Sequence, residues 1–220
     1  MVRAFTLLVA LSLAGCRLSY TGGAKTVTAT DLAADRTLLR AAPTPVVTQL
    51  SQQDCGLAAL AMVAGAWGRT WSVRDMAREL KPTERGVKLA RLRDFARGRG
   101  LDAYAIKGTY ADLEAELRAG RPVVLGLVLP YDRKNALHHF EVVVAYDPRA
   151  QRAVTRDPAT GDLKQRTHDV LDAEWKNAGY ATLVVVGDTT PAAPPLTGDD
   201  HVQAHDPRSR PGTVRSVGLQ

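Results

Sequence analysis

A lone cysteine, Cys55, stands where the polar stretch Gln49-Leu50-Ser51-Gln52-Gln53-Asp54 gives way to the apolar run Gly56-Leu57-Ala58-Ala59-Leu60. Asp54 is of the N-cap type, and Leu57, Leu60, Ala61 and Ala64 recur at helical spacing, so Asp54 to Ala66 reads as a helix with Cys55 in its first turn. A thiol is a useful nucleophile only as thiolate, and a free one titrates at about 8.5. The unsatisfied amides of a first helical turn favour the anion, and a nearby imidazolium favours it more. Gly56, lacking a side chain, would let a substrate carbonyl approach those amides, and Ala58 and Ala59 keep the helix slim for packing. Taken alone, a free cysteine is more often a small buried hydrophobe. Its partners decide the matter.

Histidines are few. His201 and His205 fall in a polar C-terminal stretch and His168 in another polar segment, where surface positions are expected. His138 and His139 open a β-branched run. At a period of two, His138 shares a face with Phe140, Val142 and Val144, and His139 shares one with Glu141, Val143 and Ala145. The first face is greasier, so His138 is expected to be packed or at an edge and His139 to point into a polar cleft. An imidazole acting as base needs an acceptor on its other nitrogen. Asp147 lies on the same strand, about 26 Å from His139 at roughly 3.3 Å per residue, and cannot reach. If Asp147 to Ala150 is a hairpin turn, residue 140 faces 157 and Asp157 arrives beside His139, given a bulge or a one-residue slip. The simpler expectation for Asp157 is a turn residue before Pro158.

These residues need elements to hold them. Helical patterns run from Ser72 to Leu80, with Ser72 as N-cap, from Val87 to Arg97, and from Tyr110 to Arg118. A short helix is possible near Asp31 to Arg40. Strand patterns cover Asp102 to Ile106, Val123 to Leu129, His139 to Tyr146, Gln151 to Arg156 and Ala181 to Val186. Helices followed by an antiparallel sheet give the α+β class. Residues 46–187 form the expected domain, residues 16–45 a tether punctuated by Pro43 and Pro45, and residues 188–220 a Pro-containing tail without apolar period. The chain has 220 residues, 45% of them hydrophobic and 24% charged, enough for one domain with a real core. Its net charge of +6 is spread along the sequence with no basic run interleaved with aromatics, which argues against nucleic acid as a partner.

Residues 1–15 read as an export signal, with Arg3, an apolar stretch from Ala4 to Leu13, and small residues before a cut. The stretch is too short to span a bilayer. Leu13-Ala14-Gly15-Cys16 resembles the lipobox of bacterial lipoproteins. The resemblance implies lipidation of Cys16, anchorage to a membrane facing the periplasm or exterior, and a Cys55 left without a disulfide partner.

Gln49, Asp54-Cys55-Gly56, His139-Phe140 and Asp157-Pro158, in that order, resemble the bacteriocin-processing, double-glycine cysteine peptidases of the papain-like clan over roughly Val46 to Val186. The resemblance implies a papain-like fold with Cys55 as nucleophile, His139 as general base, Asp157 orienting it, and the Gln49 amide donating to an oxyanion hole. It implies a peptide or protein substrate and no cofactor or metal. Members of that family commonly belong to peptide-exporting ATP-driven transporters, whereas this sequence has an export signal and no P-loop. Two other readings compete: a cell-wall amidase, whose sites resemble Cys-His-His, and a non-enzymatic lipoprotein that uses the scaffold to bind an envelope peptide or protein.

Overall fold

The segment Cys55–Ala66 forms a helix that is buried on every side, because an all-apolar helix has no face to offer water. The computed structural model describes residues 20–131 and 135–188. The expected signal, Cys16 and the tail beyond residue 188 lie outside the described residues. Among the described residues no helix is long and apolar enough to cross a membrane.

In chain order the elements are β1 (Lys25–Val27), α1 (Ala29–Ala34), β2 (Leu39–Arg40), a 3-10 turn (Gln52–Asp54), α2 (Cys55–Ala66), α3 (Val73–Leu80), α4 (Leu89–Arg97), β3 (Asp102–Lys107), α5 (Tyr110–Arg118), β4 (Val123–Tyr131), β5 (Asn135–Asp147), β6 (Arg152–Arg156), β7 (Leu163–Arg166), α6 (His168–Asn177) and β8 (Ala181–Val186). Among the described residues eight strands make one antiparallel sheet in the order β1-β7-β6-β5-β4-β8-β3, with β2 added on β5. The central pair runs from Val123 opposite Val143 to Tyr131 opposite Asn135.

Alternation along β4 sends side chains into two cores. Val124 joins Leu57, Leu60, Met62, Leu92, Val142 and Leu183 beneath α2, α3 and α4. Val123, Leu125 and Leu127 join Leu113, Leu117, Leu171 and Trp175 beneath α5 and α6. Helices therefore cover the sheet on both faces, and each fully buried leucine contributes roughly 1.5–3 kcal/mol.

Two sequence expectations are corrected here. Residues 20–42, assigned to a tether, belong to the fold. β1 pairs with β7, Leu39 and Arg40 pair with Tyr146 and Ala145, and Ala41 and Ala42 are buried. β2 takes the edge of β5 that β4 leaves free beyond Val143. The short helix lies at Ala29–Ala34 rather than Asp31 to Arg40, set by a Thr28–Asp31 capping box at its start and extended backbone at Asp35. β7 carries only Leu163 as an apolar residue and gave no strand signal of its own.

Candidate active site

The hairpin that brings Asp157 toward His139 has a register different from a simple count. Asp147 pairs with Arg152 and Tyr146 with Ala153, so the four-residue turn is Pro148 to Gln151, one position beyond the expected Asp147 to Ala150, with Gln151 at φ 48°. A bulge between Val143 and Ala145 then shifts the pairing, which ends at Val142 opposite Arg156. β6 leaves the sheet at that point, and the His139 stretch of β5 loses its partner on one side. Asp157 turns into the opening. Its backbone N–H donates to Asp162 O at 2.9 Å and its carbonyl accepts from Gly161 N at 2.7 Å.

His139 Nε2 donates to Asp157 Oδ1 at 2.7 Å, and both residues are buried. Asp157 is also the expected turn residue, since the same Oδ1 accepts the Ala159 N–H at 2.8 Å. The Cys55 thiol is the other side chain that acts on the ring, close enough to raise its pKa. With Nε2 occupied, Nδ1 is the nitrogen left for it. Burial disfavours the imidazolium, but the hydrogen bond to Asp157, the Cys55 thiol and the Glu141 charge outweigh it, and the ring is pushed up to about 10. Burial would raise the Asp157 carboxyl, yet the bond from His139 and its charge hold it below the usual carboxylate range.

His138, expected to be packed or at an edge, is exposed rather than packed. The α2 side of β5 is covered only from Phe140 onward, where a Cβ on Gly56 would meet the Phe140 ring at 3.0 Å. The same contact, with Leu92 Cδ1 also at 3.0 Å, gives Gly56 a packing role. It lets the start of α2 sit down on the sheet. The Asp54 side chain makes no cap bond, so no carboxylate competes for the first-turn amides of α2.

Gln49 is tied to the loop after Asp157, its N–H donating to Pro158 O at 2.9 Å. Its Oε1 is buried and has no hydrogen-bond partner among the described residues. A buried amide oxygen without a partner is costly unless the group serves a ligand. Val46 and Leu50, on the same segment, are large apolar side chains exposed to solvent.

Sequence reasoning missed a second buried cluster two residues along β5. Glu141 Oε1 and Oε2 accept from Arg166 Nη2 at 2.9 Å and Nη1 at 2.8 Å, and Thr155 Oγ1 also donates to Oε2. Arg166 Nε donates to Glu174 Oε2 at 2.6 Å, and Tyr20 donates to Glu174 Oε1. Burial penalises the Arg166 cation, but the two carboxylates outweigh this and raise its pKa. His139, Glu141 and Asp157 do place donor atoms within 4.8 Å of one another. Those atoms are spent on each other and on Arg166, and a guanidinium beside them opposes a cation. The set suits proton handling rather than metal binding.

A helix carrying a cysteine at its start, packed on an antiparallel sheet that presents a histidine and an aspartate to it, defines a papain-like cysteine peptidase domain. Residues 43–186 match the model of the Peptidase C39 family, and the chain belongs to that family. It is 31% identical over 117 residues to the colicin V secretion/processing ATP-binding protein of Escherichia coli, a match covering 53% of this chain and 15% of that protein. A probable microcin-H47 secretion/processing ATP-binding protein of Escherichia coli is 29% identical over the same share. The chain thus spans a small part of these relatives' length. Among solved structures, a C39-like peptidase from Bacillus anthracis aligns with a TM-score of 0.54 at 20% identity, covering 66% of this chain and 96% of that one. A double glycine motif protease from a transporter, solved with its leader peptide, aligns with a TM-score of 0.53 at 20% identity, covering 67% and 94%. At these identities the likeness shows the fold.

Proposed function

We propose that Cys55, His139 and Asp157 form the catalytic triad of this peptidase, with Gln49 completing an oxyanion hole, and that the substrate is a leader-type peptide. The observation that carries this reading is the His139 ring held between the Cys55 thiol and the Asp157 carboxylate. Thiolate Cys55 attacks the scissile carbonyl while the His139 imidazolium stands ready as acid. The developing oxyanion is received by the Gln49 side-chain amide and the uncapped first-turn amides of α2. Imidazolium His139 protonates the leaving amine, and the neutral ring then activates the water that resolves the thioester. Asp157 keeps the ring oriented through both steps.

A peptide substrate is favoured by the exposed Val46 and Leu50 flanking Gln49, and by the leader peptide bound to the transporter protease of like fold. The acceptor on His139 is a carboxylate, which favours the peptidase over the Cys-His-His amidase reading. We further propose that Cys16 is lipidated and tethers the domain to a membrane of the cell envelope, on the strength of Leu13-Ala14-Gly15-Cys16.

The direct test is cleavage of synthetic leader-type peptides by wild type and Cys55→Ala. Turnover lost with the thermal transition retained is the expected result, and turnover kept in the variant would sink the assignment. Radiolabelled fatty acid incorporated into the wild type but not Cys16→Ser tests the anchor.

A further inference from the structure

The cluster beneath the triad is built around one carboxylate, and its place is unusual. Glu141 and Arg166 are each 1% exposed. Glu141 sits on the His139 face of β5, with ligand-type atoms of His139, Glu141 and Asp157 within 4.8 Å of one another. Both of its oxygens are pinned by the Arg166 fork, which also bonds Thr155 Oγ1 at 2.7 Å. The carboxylate therefore cannot swing over to bond the ring. It acts on the ring through space, across a short distance and in a poorly screened interior.

A buried pair of this kind is weak evidence of stabilisation, because a well-packed apolar trio of similar volume would serve the core as well or better. Its charge count is informative. Arg166 lies between Glu141 and Glu174, so one cation faces two anions. Of the two anions, Glu141 is the one beside the ring, and its charge acts on His139 directly. We propose that Glu141, held in place by Arg166, is a positioning residue of the peptidase that sets the pH range over which the Cys55–His139 pair is charged and reactive. This rests on the reading of Cys55, His139 and Asp157 as the catalytic centre.

The groups that face this pair come from every element around it. α2 contributes Cys55 and the residue after β6 contributes Asp157, while β7 contributes Arg166 and Lys164, the latter acting on Asp157. α6 contributes Glu174, and β4 contributes Tyr131, whose ionisation is opposed by burial and by Asp157, Glu141 and Glu174. Tyr20 closes the far side on Glu174, its own ionisation opposed by burial and by that bond. Removing one negative charge from this set shifts the titrations of the pair together, and in the same direction.

The test is the pH dependence of Cys55 alkylation by iodoacetamide in the full chain, read by mass spectrometry of the Cys55 peptide, alongside the kcat/KM profile. Glu141→Gln is expected to slide both limbs of the kcat/KM profile, and the alkylation midpoint, to lower pH by roughly one unit. Glu141→Asp keeps the charge and is expected to stay within about 0.1 unit of wild type even if turnover slows. A Glu141→Gln profile that superimposes on wild type overturns the inference. Should that variant not fold, Thr155→Val removes a donor from the Glu141 carboxylate while keeping its charge. Its profile should then move about 0.3 unit to higher pH, and an unmoved profile overturns the inference equally. A wild-type Cys55 that alkylates like an ordinary isolated thiol overturns the catalytic-centre reading, and the inference with it. That outcome is distinct from a charged pair that ignores Glu141.

Discussion

Two buried polar clusters stand two residues apart on β5, and they differ in what they leave undone. Around Glu141 every carboxylate oxygen has a donor: Arg166 and Thr155 serve Glu141, and Arg166 and Tyr20 serve Glu174. Around His139 the accounting stays open, with the Gln49 amide oxygen buried without a partner among the described residues and the start of α2 uncapped. A closed network rigidifies a fold, whereas an open one holds hydrogen-bonding capacity for a substrate. The same strand carries both, so the closed cluster braces the open one.

If the open cluster is the reacting one, variants there should change rate and spare the fold. Cys55→Ala should lower turnover by about a thousand-fold or more with the unfolding transition kept. Asp157→Asn should cost about a thousand- to ten-thousand-fold in kcat, because it removes the acceptor that fixes the ring. Peptide-cleavage kinetics at several pH values check both. The closed cluster should behave in the opposite way. Arg166→Met strands Glu141 and Glu174 and is expected to lower unfolding stability by about 3–5 kcal/mol in urea titrations. Back in the open cluster, Gln49→Ala should lower kcat by about a hundred- to a thousand-fold with KM little changed, the mark of a group that acts only on the transition state. A large rise in KM alone would recast Gln49 as a binding residue.

The smallest effect is on stability against pH. His139 is pushed up to about 10, above its unfolded value, so its share of stability is full below about 6.5 and is lost as pH rises toward 10. Asp157 is held low, so its share is present above the ordinary carboxylate range and lost as pH falls below it. Wild type minus Asp157→Asn, compared by thermal melts from pH 3 to pH 10, should show a plateau near pH 5 to 6 that declines on both sides. A difference that does not vary with pH would mean that the His139–Asp157 bond carries no charge in the folded state.

Much of the site was legible because its parts are local. Cys55 was marked by the change from polar to apolar at a helix start, and His139 by period-two alternation on a strand whose other face is greasy. Asp157 was reachable by counting around a hairpin, although the true register differs from that count. The bulge near Val144 depends on how β2, β4 and β6 share β5, and no run of residues announces it. Glu141 was on the page as the neighbour of His139 on its face. Its importance was hidden because Arg166 sits in β7, a four-residue strand of mostly polar type. The N-terminal residues were misread for a like reason. Strands of three and two residues carry too little pattern to rise above a loop, and only their pairing with β7 and β5 makes them strands.

The sequence by itself determined the α2 helix, the alternation that puts His139 and Glu141 on one face of β5, and the family that the chain belongs to. These follow from side-chain types acting on their own backbone over a turn or a strand. Tertiary structure decided which groups end up without partners. Whether the Gln49 oxygen is orphaned, and whether Glu141 is neutralised, depends on residues more than twenty positions away that arrive only when the sheet closes. Burial then makes those arrivals decide which groups are charged, because inside the protein an unscreened neighbour counts for far more than it would in water.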